Sequence, residues 1–200
     1  MDGWQLFIRH HAGTHSAEVS EAKGVRGDAP FEDLSDDQVR LRPHGLNSIA
    51  WLIWHIARCE DITVNPILMG RPQVLDENDW SRRLNVSRRD LGTDMTPEEV
   101  AELSASVDIQ NLRAYRIAVG KRTRATLQSL PNVEWGDVVE AERVRQAVAQ
   151  GALGPNAGWV EELWATGTKA WFLHYEVVAH NWLHLGQALW VRKLVMTEPS

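Results

Sequence analysis

Ala179-His180-Asn181-Trp182-Leu183-His184-Leu185-Gly186-Gln187 and Ile49-Ala50-Trp51-Leu52-Ile53-Trp54-His55-Ile56-Ala57 are the two segments on which the reading of this chain turns. Neither alternates apolar and polar residues as a half-buried strand would, and both fit a helical period. On a helix, residues four apart stack on one face. His180 and His184 therefore point the same way, and Glu176 and Gln187 join them. Leu173, Val177 and Val191 extend that face and are apolar. In the other segment His55 shares its face with Trp51, Leu52, Cys59 and Ile62. Both segments thus place imidazole on a surface that otherwise belongs to a core, where a polar group needs a partner.

Along the rest of the chain the same helical patterning recurs. A first helix is expected over about 4–22, a second over 48–68 and a third over 109–130, stopped by Pro131. The last is expected over 168–195. A short helix should start at Thr96-Pro97-Glu98-Glu99, a capping box with proline at the first helical position. Residues 131–168 read as a long connection or insertion, with a surface helix over 138–150. No hairpin turn or alternating strand run stands out. The pattern predicts an all-α fold, a four-helix bundle with long crossover connections, as a single domain over 1–200.

Composition narrows the function classes. Lys and Arg total 21 against 27 Asp and Glu, a formal net charge of −6. That balance argues against a nucleic-acid partner. The most apolar stretch, 170–191, is long enough to resemble a membrane span. It carries His174, Glu176, His180, Asn181, His184 and Gln187, too many polar groups for lipid, so no membrane partner is expected. Cys59 is the only cysteine, which excludes an internal disulfide and suits a reducing compartment. With no signal peptide visible at the N-terminus, a cytoplasmic location is the expectation.

Two facing helices that bring His55, His180 and His184 together would make a site for a divalent metal, zinc or nickel first among them. Three protein ligands leave a position open, as catalytic sites do. Buried histidine also serves as ordinary hydrogen-bonded core, and spacing alone leaves both readings standing.

The residues resemble a known family. Asn47-Ser48 followed by the Ile49–Asp61 run, with Leu34-Ser35-Asp36-Asp37-Gln38 and Arg42-Pro43 upstream, is similar to the second helix of DinB-like proteins and the loop before it. Ala179 to Gln187 is similar to their fourth helix. The resemblance implies a four-helix bundle, often a homodimer, with a divalent metal on His55, His180 and His184. It also implies relatives such as mycothiol-dependent maleylpyruvate isomerase and bacillithiol S-transferases. The expected function is then a metal-dependent S-transferase or isomerase acting on a small-molecule substrate with a low-molecular-weight thiol such as mycothiol. A metal-dependent hydrolase and a non-catalytic metal-binding or stress-response protein are the alternatives.

Other residues fill in the expected site. Glu176 is a candidate catalytic base or fourth ligand. Glu60 and Asp61 could orient imidazoles, although Asp61 reads better as a solvent-facing charge. Arg82, Arg83, Arg88 and Arg89 read as a solvated loop with local ion pairs, or as a substrate carboxylate clamp if they cover the site. Arg113, Arg116, Lys121, Arg122 and Arg124 read as a solvated face. His11 and His15 form a rival pair placed at the surface, with His10 beside them. His44 sits in a loop, and His174 lies about 240° around the helix from His180. Cys59 reads as a small core residue. Ten tryptophans exceed what one core needs and suggest a homodimer interface.

Overall fold

Ser48 starts the central helix by accepting a hydrogen bond from the Trp51 backbone N–H at 2.9 Å. The helix, α3 (Ile49–Ile62), is buried at every one of its residues. In this computed structural model, residues 3–20, 22, 24, 26–129 and 134–197 are described. Around α3 the elements run in chain order: α1 (Gly3–Thr14), α2 (Asp36–Arg40), α3, α4 (Trp80–Leu84), α5 (Pro97–Ser106), α6 (Ile109–Gln128), α7 (Ala141–Ala149), α8 (Trp159–Trp164), α9 (Lys169–Phe172) and α10 (His180–Thr197). A π-helical segment, Thr63–Leu68, continues α3, and a second, Leu173–Ala179, joins α9 to α10. The fold is all-α. Among the described residues there is no strand, only an isolated bridge between Val138 and Thr168.

Side chains at the expected stops and starts set the helix boundaries. Ser35 and Thr96 each form a reciprocal capping box, with Gln38 and Glu99. Asp108 caps α6 and Thr168 caps α9. Each such cap contributes about 1 kcal/mol.

The bundle core lies between α3, α6 and α10. Ile49, Leu52, Ile53 and Ile56 meet Leu112, Tyr115 and Val119 of α6 and Leu185, Ala188 and Val191 of α10. A second core sits at the far end of α3. There Ile62 and Ile67 pack with Val144 and Ala147 of α7, Val160 and Trp164 of α8, and Phe172. From Val139 to Trp164 the long connection is therefore part of the packing and not a surface appendage.

Several expectations need correction. The first helix stops at Thr14 rather than near residue 22. Thr14 Oγ1 bonds back to the His11 carbonyl, and the chain folds over itself through Arg26 N–H to Gly13 O and Gly27 N–H to His15 O. Glu21, Lys23 and Val25 lie outside the described residues, as do Leu130 and Pro131 at the expected end of the third helix. Asp61 is fully buried, not solvent-facing. Its carboxylate accepts from Arg58 at 3.1 Å, Tyr115 Oη at 2.5 Å, Asn65 Nδ2 at 2.6 Å and the backbone N–H groups of Val74 and Leu75. Arg116 is also buried, and its guanidinium donates to the Thr14 carbonyl.

Removing the Asp61 carboxylate strands a buried guanidinium and two backbone donors, which costs about 3–5 kcal/mol. Asp61→Ala should lower the chemical-denaturation stability by that order. A loss under about 1 kcal/mol, the scale of one ordinary hydrogen bond, would show that the network contributes little.

Candidate metal centre

The three expected histidines meet. His55 comes from α3, His180 and His184 from the first turns of α10. His180 Nε2 stands 3.3 Å from His55 Nε2 and 2.8 Å from His184 Nε2. The rings are nearly perpendicular to one another, with interplanar angles of 77°, 89° and 83°. Trp51 stacks on His55 at 4.8 Å between centroids and holds the ring plane.

The outer ring nitrogens decide what the inner ones can do. His55 Nδ1 donates to the Leu91 carbonyl, and His184 Nδ1 donates to Gln187 Oε1 at 2.6 Å. Each of those rings then turns a lone pair inward at Nε2. Gly92 comes directly after Leu91 at φ +83°, in space where a Cβ would come within 2.5 Å of the Trp54 ring. That turn delivers the carbonyl to His55. A proton on His180 Nε2 could serve only one of its two neighbours, whereas a cation at the centre serves all three. Nitrogens ligating one zinc ion lie roughly 2.9–3.4 Å apart at bond angles of about 90–110°, close to the two spacings from His180, and the His55 and His184 rings lie 4.8 Å apart between centroids. The donor set fits a divalent metal.

Burial, and then the neighbouring imidazoles, push the His55 pKa well below its ordinary value. Burial likewise lowers His180 from 6.5 to about 3, and lowers His184. These rings are neutral at physiological pH, the state in which imidazole ligates.

A pocket of about 260 Å³ opens over the three Nε2 atoms. Its walls include Trp51, Leu91, Trp159, Leu163, Trp164 and Tyr175. Glu176 also lines it. It is buried, its Oε1 accepts from Trp164 Nε1 at 3.0 Å, and its Oε2 is 3.9 Å from His180 Nδ1. Burial raises its pKa. Cys59 lines the base, with Sγ 3.8 Å from both nitrogens of His55, beside the ring.

Residues 28–188 match the family model described as the DinB superfamily. The chain belongs to the DinB superfamily. Among solved structures it is similar to a conserved protein from Enterococcus faecalis, at 22% identity and a TM-score of 0.70, over 99% of each chain. That likeness speaks to the fold alone. No curated protein matches the chain.

This DinB-superfamily chain holds a second histidine cluster that the sequence placed at the surface. His11 and His15 are fully buried, and each Nε2 lies 2.9 Å from one oxygen of Glu60. Asn181 Nδ2 donates to the same carboxylate at 3.1 Å. Its chemistry is the reverse of that at His55 and His184, whereas His180 shares with it a buried Nδ1 that has no hydrogen-bond partner. Here both Nδ1 atoms are buried without a hydrogen-bond partner, so the proton sits on Nε2 and bonds the carboxylate. Glu60, despite burial, is held well below the usual carboxylate range by His15 and His11. Burial lowers His15 from 6.5 to about 4. Gly120 allows this packing, since a Cβ there would lie 2.5 Å from His15 Nδ1.

The remaining residues lie elsewhere. Arg82 pairs with Asp79, Arg88 with Asp90 and Glu99, and Arg89 with Asp76; none lines the pocket. His44 is in the loop before α3, and His174 is exposed on the opposite side of its helix, beside His10 in another groove. Of the tryptophans flanking the histidines in sequence, Trp51 walls the site, Trp54 is core and Trp182 is exposed. Sequence reasoning missed Trp159 and Trp164. The signal was present in Trp159-Val160 and Leu163-Trp164, spaced four apart in a segment read as loop.

Between pH 6.5 and 4 the unfolded chain protonates His15, His55 and His180 while the folded chain keeps them neutral. The unfolded state then binds more protons, so stability falls as pH is lowered through that window. Glu60, with its depressed pKa, adds a further loss once the pH falls through the ordinary carboxylate pKa, where the unfolded chain protonates it first. Urea midpoints of metal-free protein at about pH 7.5, 6.0 and 4.5, which bracket the ordinary histidine pKa, should decrease in that order. A flat profile would mean the rings are not held neutral.

Proposed function

We propose that the chain is a divalent-metal-dependent enzyme whose metal is held by His55, His180 and His184. The observation that carries this reading is the convergence of three imidazole nitrogens, two with their lone pairs turned inward, at the base of a pocket. The metal, zinc or nickel by its nitrogen donors, supplies Lewis acidity that brings the pKa of a thiol or a water toward neutrality. Glu176 stands beside the reacting space, its orientation fixed by Trp164, and its raised pKa suits it to take up and return a proton. The aromatic walls exclude water, which strengthens every charge interaction inside.

The activity this supports is transfer or isomerisation using a low-molecular-weight thiol, mycothiol among the candidates, on a small electrophile. Cys59 is buried with a pKa pushed well up, so the reacting thiol comes from outside the chain. The lone buried cysteine also accords with a cytoplasmic location. The chain is read as one domain over 1–200, with 131–168 as its insertion. Exposed Leu46, Leu183 and Trp190 line one groove along α10, the face proposed for a homodimer.

A second reading rests on Cys59. His55, Cys59 and His180 have ligand atoms within 4.8 Å of one another. A thiolate there would close the coordination sphere and make the protein a non-catalytic metal binder. The position of Sγ beside the His55 ring, rather than ahead of Nε2, favours the open site.

Untagged protein should carry close to one metal per chain by elemental analysis. His180→Ala and His184→Ala should each weaken metal binding by about tenfold or more while retaining helical circular dichroism. Cobalt-loaded protein should show no thiolate charge-transfer band until an external thiol is added. A band already present, and abolished by Cys59→Ala, selects the second reading. Absence of metal in both native and reconstituted protein removes both.

A further inference from the structure

The side chains that line the pocket over the three histidines have acidic groups and no basic one beyond the imidazoles. Among the described residues that line it there is no lysine or arginine, while Asp94 and Glu176 both face it. Trp51, Trp159, Trp164 and Tyr175 supply the flat walls. Asp94 is fixed at the mouth, its Oδ2 accepting from Trp159 Nε1 at 2.6 Å. The nearest arginines in sequence are engaged elsewhere, Arg58 on Asp61, Arg88 on Asp90 and Glu99, Arg89 on Asp76. None is free to swing in as a counter-ion for a carboxylate.

From this arrangement we infer that the site takes a small substrate whose flat apolar body is uncharged or cationic, and that it rejects one bearing a carboxylate beyond the metal-binding end. Aromatic faces attract ammonium and guanidinium groups, and the Asp94 carboxylate at the mouth adds to that attraction at the outer end, away from the positive charge that a metal on the three histidines would bring. Asp94 repels an anion that finds no paired donor there. The volume, about 260 Å³, lies below the roughly 300–1,000 Å³ typical of drug-sized ligands. It suits a body of one or two rings. The inference rests on the metal-site reading for the orientation of the substrate, with the ligating atom inward and the body toward Asp94. The charge preference comes from the lining alone.

The experiment uses the full chain and three thiols that differ only at the para position: phenylmethanethiol and its 4-aminomethyl and 4-carboxy analogues. Cobalt-loaded protein at low salt reports thiol ligation through its visible spectrum. The neutral and amino probes should bind at least about tenfold more tightly than the carboxy probe, a difference of about 1.4 kcal/mol. Asp94→Asn should shrink that ratio severalfold without loss of bound cobalt. Asp94 sits at φ +57°, a conformation asparagine tolerates, so this variant keeps the turn. Equal or tighter binding of the carboxy probe overturns the inference, as does an unchanged ratio in Asp94→Asn.

Metal-free protein supplies the independent arm. Benzylamine should quench tryptophan emission at lower concentration than benzoate. If that order holds while no thiol alters the cobalt spectrum, the thiol reading fails and the charge class stands. If benzoate binds as well as benzylamine, or neither binds, the charge class fails whatever the metal does.

Discussion

α3 has no solvent side, and the rest of the structure answers to that constraint. A helix buried at every residue, yet carrying His55, Arg58, Glu60 and Asp61, must find a partner for each of those groups inside the protein. The three directions in which they point organise the neighbours. Arg58 and Asp61 draw in Tyr115 from α6, Gln73, and the backbone at Val74 and Leu75. Glu60 draws in His11 and His15 from the N-terminal segment and Asn181 from α10. His55 draws in the Leu91 carbonyl on one edge and the two histidines of α10 on the other.

The two histidine clusters sit on different sides of this helix and carry opposite proton inventories. At the His55 cluster the outer nitrogens of His55 and His184 are spent on acceptors, which leaves lone pairs facing inward. At the Glu60 cluster the outer nitrogens are unpartnered, which leaves protons facing a carboxylate. At the first cluster the inward lone pairs suit a cation; at the second, where His11, His15 and Glu60 also lie close enough to hold one, the carboxylate already pairs with both inward Nε2 atoms. The partner of the far ring nitrogen separates His55 and His184 from His11 and His15; His180, whose Nδ1 is also buried without a hydrogen-bond partner, takes its place at the site from its two imidazole neighbours. Asn181 links the clusters physically. It comes directly after His180 in the chain and bonds both Glu60 and the Val177 carbonyl, so the completed network steadies the first turn of the helix that bears the incomplete one.

Legibility in the sequence depends on the range over which the information is spread. His180 and His184 are related by one helical turn, and the apolar faces around them and His55 carry the period directly. The caps at Ser35, Ser48, Thr96, Asp108 and Thr168 are equally local. His11, His15, Asp61 and Arg116 were misplaced because charged and polar types default to solvent. For the two histidines the partner lies 49 and 45 residues along the chain. Nothing within a window of one helix carries that information. The six residues of α8 failed for another reason. Glycines at 151, 154 and 158 read as loop punctuation, and so short a helix offers too few repeats to reveal a period. Yet this element supplies Trp159 and Trp164, and with them much of the pocket wall.

Both helices that present the site are interrupted by a π segment, Thr63–Leu68 after α3 and Leu173–Ala179 before α10. A π turn takes up an additional residue within an otherwise continuous helix. It thereby resets the angular phase between the upstream and downstream turns. Upstream of the second segment, Trp171 and Phe172 pack with the α8 region; downstream, His180 and His184 face His55. A single uninterrupted helix would tie those two sets of contacts to one rotation. With the phase break between them, substitutions that reshape the pocket wall need not rotate the imidazoles. In this chain the pocket wall and the imidazoles thus answer to different turns, a separation of tasks written into the winding of one helix.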